Sequence, residues 1–331
     1  MKKVGLGVIG LGYIGKIHLR NGLKLENAHI VGVSDLSKRA LDDAKILGVK
    51  KTFTNYEQLL KEPNLDSVII GLPTHLHLDC AIRAIEAGKH VLLEKPIARD
   101  VKEAKEIVSA AQRNSVKLMI GYPHRFNPAF RELKEKIESG ELGDVEIAYA
   151  TFISSGPFFH RTVGYVPSPV PEWWFDKELT GGGALMDLGC HLINLLRWYF
   201  GEITGINSYL GYRFNIDLED HAICMTQFES GTTGAINVGW FSQEYQLKID
   251  LLGSVSHASA QHRPENRLVA AARMLTTGIS KLYWPHLAEL QYFAKCLIQD
   301  SKPSPSGEDG LKDLEAISLA YKNAVDLERW R

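Results

Sequence analysis

Five short apolar runs recur between residues 4 and 122, each followed by a segment with helical spacing, and that alternation leaves few folds open. The runs are VGLGVIG (4–10), HIVGVSD (29–35), SVIIGL (67–72), HVLLEK (90–95) and KLMIGY (117–122). Helix-like stretches lie between them, near 13–25, 37–47, 77–88 and 100–114. Continuous apolar strands separated by helices pack as a parallel sheet covered on both faces. Right-handed crossovers then wind the sheet doubly, giving an α/β domain over residues 1–122.

The rhythm changes after residue 123. A helix is expected at 127–139, a long alternating strand at 144–155 and a helix at 183–199. Strands follow near 203–213, 220–229, 232–241 and 245–253, and helices near 284–299 and 309–329. Runs of strands after a helix indicate an α+β domain, here on a large open, mostly antiparallel sheet. The second domain is placed at 123–331, with the last helix either within it or packed back on the first. A chain of 331 residues is comfortable for two domains.

The charge is balanced, 38 basic against 39 acidic residues, which argues against nucleic acid or a membrane surface as partner. The four cysteines show no C-x-x-C pair, so neither a zinc cage nor a disulfide framework is expected, and a reducing cytoplasm suits them. The opening MKKVGLGVIGLGYIG is broken by five glycines and reads as strand and turn rather than a leader. No run of about 18 apolar residues is present to form a transmembrane helix.

GLGYIG places Gly10, Gly12 and Gly15 directly after the first strand. Gly10 permits a tight turn, Gly12 lets backbone N–H groups approach a pyrophosphate, and Gly15 lets the helix pack close to the sheet. The helix N-terminus adds unpaired donors and a positive dipole end, with Tyr13 and Ile14 in the same turn as candidate cofactor contacts. Asp35 ends the second strand, 20 residues after Gly15, where a carboxylate accepts both adenosine ribose hydroxyls. It repels a 2′-phosphate and favours NAD. Lys38 and Arg39 follow closely and are read as a solvated first helical turn, with service to NADP as the alternative.

Glu94, Lys95 and Pro96 stand at the carboxyl end of the fifth strand, where open α/β sheets bind ligands. Proline restricts the residue before it, so Lys95 leaves the sheet in a set direction. Near a cofactor its amine suits hydrogen bonding to a reacting oxygen; alone, it would be an ordinary surface lysine. Leu72, Pro73 and His77 follow the fourth run and are candidate cofactor contacts, although a buried structural histidine is an equal reading of His77. In TGGGALMDLGCH, Asp187 and His191 are four residues apart and share a helix face. Histidine titrates near neutrality and suits a base. The bland alternatives are a pair that satisfies buried polarity, or two metal ligands; no third ligand suggests itself, and no metal is expected. The glycines at 181–183 suggest a close approach to cofactor or substrate.

GLGYIG, the EKP at 94–96, GYPHRFNP at 121–128 and GGGALMDLGCH at 181–191 together resemble the glucose–fructose oxidoreductase / inositol dehydrogenase (Gfo/Idh/MocA) family, in motif order from residue 4 to about 255. The resemblance implies a Rossmann domain, an α+β second domain and NAD(P)-dependent oxidation or reduction of sugars and cyclitols. It implies that Lys95, Asp187 and His191 face the nicotinamide. Many members carry an acid where this chain has Asn194, a departure that bears on substrate contacts or on how the helix is anchored. The aromatic loop 154–180 offers Phe158, Tyr165, Trp173 and Trp174 to a sugar or nucleobase and Arg161 to a phosphate, with a subunit contact as the other reading. Tyr122 and Arg125 are expected at the pocket floor, with an inter-domain ion pair as the other reading of Arg125. Trp240 is a further candidate.

The leading expectation is an NAD-dependent dehydrogenase of a sugar, cyclitol or nucleotide-linked amino sugar. A keto-sugar reductase and a non-catalytic NAD(P)-binding sensor are the alternatives. A homodimer or homotetramer through the exposed sheet is expected, and residues 262–281 read as a surface or subunit-packing helix. The Asp35 assignment predicts a higher kcat/KM with NAD than with NADP in steady-state kinetics. The reverse order would reject it.

Overall fold

The computed structural model describes residues 3–158, 171–214, 216–262 and 284–327. It divides into two compact units: residues 1–123 with 283–311, and residues 124–282 with 312–331.

In the first unit six strands form one parallel sheet: β1 (Val4–Ile9), β2 (Ala28–Ser34), β3 (Thr52–Phe53), β4 (Ser67–Ile70), β5 (His90–Glu94) and β6 (Leu118–Gly121). Their spatial order is β3-β2-β1-β4-β5-β6, so the winding reverses between β1 and β4, where the glycine-rich turn emerges. Every residue of β1 and β4 is buried, which is why their sequences are continuous apolar runs rather than alternating ones. The helices α1 (Tyr13–Gly22), α2 (Lys38–Ile46), α4 (His77–Glu86) and α5 (Val101–Arg113) fall where the spacing expects them. Local chemistry starts two of them: Ser37 accepts from the N–H of Ala40, and Asp100 from that of Glu103. β3 and the short α3 (Tyr56–Leu60) were not anticipated, being too brief to show a period. The helix Trp284–Ile298 belongs to this unit.

The second unit carries α6 (Pro128–Glu138) and a seven-stranded mixed sheet. Its strands are β7 (Val145–Ile153), β8 (Ile203–Gly211), β9 (His221–Phe228), β10 (Thr233–Gly239), β11 (Gln246–Gly253), β12 (His257–His262) and β13 (Ala324–Asp326). The order is β12-β11-β7-β10-β9-β8-β13, antiparallel except for the β10–β7 and β13–β8 pairs. One sheet face is covered by α8 (Cys190–Phe200) and the π-helical turn Leu185–Gly189 before it. β9 shows the result: Ala222, Cys224, Thr226 and Phe228 are buried, whereas Ile223 and Met225 are exposed.

Two expectations need correction. The last helix was expected to continue to 329, but it spans Gly307–Lys322, and Ala324–Asp326 pairs with β8 instead. Asn323 locks the exit by donating its side-chain amide to the carbonyl of Ile206 at 2.9 Å. His262 ends strand β12 rather than opening a helix; the rest of the 262–281 segment lies outside the described residues. Among the described residues no helix is long and apolar enough to cross a membrane.

Candidate cofactor and active sites

The glycine loop is shaped by contacts that exclude side chains. Gly10 has φ +86°, and a Cβ there would meet the Gly71 carbonyl oxygen at 2.6 Å. A Cβ on Gly15 would stand 1.8 Å from the Gly10 oxygen, so α1 rests directly on the turn. Gly12 differs: nothing lies within 4 Å of its would-be Cβ. It caps α1 without a side-chain hydrogen bond. Asp35 Oδ2 accepts the Leu11 N–H at 2.6 Å and Oδ1 the Ser37 N–H at 2.7 Å. Each oxygen retains a further lone pair for a ribose hydroxyl. Tyr13 is exposed and Ile14 half-buried beside the loop. Open space at Gly12, a helix N-terminus beside it and a carboxylate at the end of β2 fit a dinucleotide.

Lys95 follows β5 and is half-buried, and its peptide bond to Pro96 is cis. Its backbone N–H donates to Glu94 Oε2 at 3.3 Å. Glu94, expected at the cofactor, is buried and turned to His18, whose Nε2 lies 2.6 Å from Oε1. Burial alone would raise the Glu94 carboxyl; the hydrogen bond and charge of His18, with His286 and Lys95, hold it below its ordinary value. Glu289, fully buried on the helix Trp284–Ile298, goes the other way. Burial first, then the Glu94 charge, push its carboxyl well above the usual range. His77 corrects its cofactor reading. The ring is buried, with Nδ1 3.0 Å from the Pro96 carbonyl oxygen and Nε2 2.9 Å from that of Leu72. Burial lowers its pKa while the Leu72 and Pro96 carbonyls pull against that fall, and the ring bridges the segments that follow β4 and β5. Leu72 and Pro73 remain half-buried at the end of β4, while Pro96 and Tyr122 are buried.

In the second unit, α7 (Lys177–Thr180) ends at Gly181 with φ +82°. The glycines after it press against the protein itself, which corrects the expectation that they make room for a ligand. A Cβ on Gly182 would lie 2.1 Å from the Tyr321 hydroxyl, and one on Gly183 2.1 Å from the Glu219 carbonyl oxygen. The buried Glu219 carboxylate accepts the N–H of Gly183 at 2.9 Å, that of Leu185 at 3.1 Å and the Tyr321 hydroxyl at 2.7 Å. It thereby satisfies the first donors of the turn that carries Asp187. Burial raises its carboxyl pKa, and these donors pull against that rise.

Asp187 lies within the π-helical turn, a feature that often accompanies function. It is half-buried, and its Oδ2 accepts the Trp240 indole N–H at 3.2 Å. His191 begins α8 one turn later, buried, with its ring 4.9 Å from that of His124 and 5.7 Å from that of Phe152. Asp187 and His191 thus stand on successive turns, the π-helical one and the start of α8, each with partners that spacing did not reveal. Among the described residues no three His, Cys, Asp or Glu side chains are grouped to hold a metal ion.

Arg125 is held by α8. It is buried and donates from Nε to Asn194 Oδ1 at 2.7 Å within the second unit. Asn194 Nδ2 donates in turn to Asp313 Oδ2 at 2.6 Å, and Asp313 also pairs with Arg197. The departure at 194 therefore anchors α8. Trp240 is buried rather than offered to solvent. Trp173 and Trp174 are half-buried with ring centroids 5.4 Å apart, and Phe158 packs on Phe214. Arg161 and Tyr165 lie outside the described residues.

A parallel sheet with an open glycine turn and an acid after β2 defines the class of NAD-binding Rossmann oxidoreductases. Residues 4–122 match the GFO/IDH/MocA oxidoreductase family model with its NAD-binding Rossmann fold, and residues 130–258 match the GFO/IDH/MocA C-terminal domain. The chain belongs to this family, as an NAD-dependent oxidoreductase. It is 28% identical to myo-inositol 2-dehydrogenase of Thermotoga maritima over 98% of this chain and 97% of the relative. It is 27% identical to scyllo-inositol 2-dehydrogenase (NAD(+)) of Bacillus subtilis over 98% of this chain and 96% of the relative. The crystal structure of a probable dehydrogenase from Thermotoga maritima superposes with TM-score 0.83 at 25% identity, covering 97% of this chain and 96% of that one.

The anchor at 194 gives a stability prediction. Asn194→Asp removes the amide donor and sets a second carboxylate against Asp313. Unfolding by denaturant at neutral pH is expected to show a loss of about 1–3 kcal/mol, shrinking as acidification protonates the carboxyl pair.

Proposed function

We propose that the chain oxidises a secondary hydroxyl of a cyclitol or sugar, with Lys95, Asp187 and His191 acting on the reacting group. The observation that carries this reading is the Asp187–His191 turn, a carboxylate fixed by an indole N–H one turn before an imidazole. It occurs in a chain whose other unit is an NAD-binding domain. Full-length similarity to two inositol dehydrogenases supports the cyclitol as substrate class. NAD, when bound, supplies the acceptor for the hydride that leaves carbon.

The chain's own residues handle the proton and the developing charge. The hydroxyl proton passes to the His191 imidazole, and the C–O bond becomes a carbonyl as the hydride departs. The Lys95 amine donates to the oxygen and stabilises alkoxide character before the carbonyl forms. Asp187 orients the hydroxyl or the imidazole. The buried Glu94 carboxylate accepts the backbone N–H of Lys95 and so helps set where the lysine leaves the sheet.

The exposed face of the second sheet supports self-association. Val325, Tyr209 and Ile223 lie in register across β13, β8 and β9, and Met225, Ala235 and Tyr149 across β9, β10 and β7. Tyr149, Tyr209, Ile223 and Met225 are each 44–50% exposed in the single chain. Such a contiguous apolar row suits a two-fold contact with a second copy. The four cysteines are buried and form no disulfide among the described residues, in keeping with a cytoplasmic home.

NADH absorbance with a panel of inositols and sugars tests the function. His191→Ala is expected to lower kcat about 10²-fold or more, with NAD affinity nearly unchanged. Turnover close to wild type would reject the base. For the sheet face, sedimentation is expected to show a dimer or tetramer, and Ile223→Asp to shift it toward monomer. A wild-type monomer at all concentrations would reject the contact.

A further inference from the structure

Trp240 follows β10, and its place is set from several sides. Its backbone N–H donates to the Asp220 carbonyl oxygen at 2.8 Å, while the Gly239 carbonyl accepts the Ser154 N–H at 3.0 Å. The residue is 1% exposed. Gly156, with φ +50°, lies flat on the indole: a Cβ there would stand 2.2 Å from the indole Cγ. The Phe158 ring meets the indole edge-on at 6.4 Å. A rigid, enclosed ring thus aims one N–H at one oxygen, Asp187 Oδ2, at 3.2 Å.

We propose that Trp240 is a positioning residue of the reaction: its indole N–H fixes the rotamer of Asp187 and so presents the carboxylate to the hydroxyl or to the imidazole. This inference rests on the dehydrogenase reading given above. Indole nitrogen donates and does not accept, so Trp240 neither takes nor relays a proton. Its action is confined to holding Asp187 as an acceptor, in a turn whose π geometry leaves the carboxylate half-buried. Gly156 belongs to the same device, since a side chain there would displace the ring. A bond from a neutral donor to a charged acceptor is about twice as strong as one between neutral groups.

The test is a double-mutant cycle in the full chain. Trp240→Phe keeps an aromatic ring and deletes the donor. It is expected to lower kcat about tenfold or more while KM for NAD stays within about twofold. In an Asp187→Asn background the same change is expected to cost little more, because its target is already altered. Equal losses in both backgrounds, or unchanged kcat in the single variant, would overturn the proposal. A second measurement does not require Trp240→Phe to fold. Of the six tryptophans, one indole N–H resonance is expected to shift between wild type and Asp187→Asn in 15N-labelled protein. A spectrum in which no indole signal moves would overturn it as well. Because the resonance needs no turnover, a wild type inactive on every hydroxyl substrate rejects the dehydrogenase reading and leaves the hydrogen bond separately tested.

Discussion

The contact of Gly182 and Gly183 with Tyr321 and Glu219 is what the placement of Asp187 and His191 depends on. The backbone approaches so closely that any Cβ would collide with a hydroxyl or a carbonyl oxygen. In return the turn's first N–H groups find the Glu219 carboxylate instead of water. A helix start buried without such an acceptor would leave several donors unsatisfied, each costing about 1–3 kcal/mol. The glycines therefore serve the protein's own packing, and the positions of Asp187 and His191 follow from it.

A comparable arrangement recurs in the first unit. Glu94 accepts the Lys95 backbone N–H and pairs with His18, so that one buried carboxyl ties the lysine's backbone to α1. Burial and the Glu94 charge together raise the carboxyl of Glu289. In both units the residue proposed to touch substrate is held by an acid or a ring that is itself out of solvent. Neither acid is available to a ligand, and their worth lies in geometry and in the field they set up.

Much of this was legible in the chain. The Rossmann strands are buried on both faces, so their apolar runs admit few other readings, and β1 through the turn to α1 carries its own glycine logic. The Asp–His pair was legible by its four-residue spacing. Its supports were not: Trp240 is 53 residues from Asp187, and Glu219 lies 36 residues from Gly183. No local pattern links such positions, and a lone tryptophan at a strand end reads equally well as a ligand contact. β12 and β13 were missed because edge strands bury little and lack strong alternation. For Asn194 the sequence left substrate contacts and helix anchoring both open; only the fold brings Arg125 and Asp313 to its two ends.

Asp35 carries a further consequence. The same two oxygens that would discriminate between cofactors also tether Leu11 in the glycine loop and Ser37 at the head of α2. Selectivity and loop architecture are thus written into one side chain. A change of this acid to glycine or alanine, made to admit a 2′-phosphate, would untie the loop along with the repulsion. An engineer wishing to alter cofactor choice would have to rebuild both tethers, and evolution along that route would have met the same entanglement.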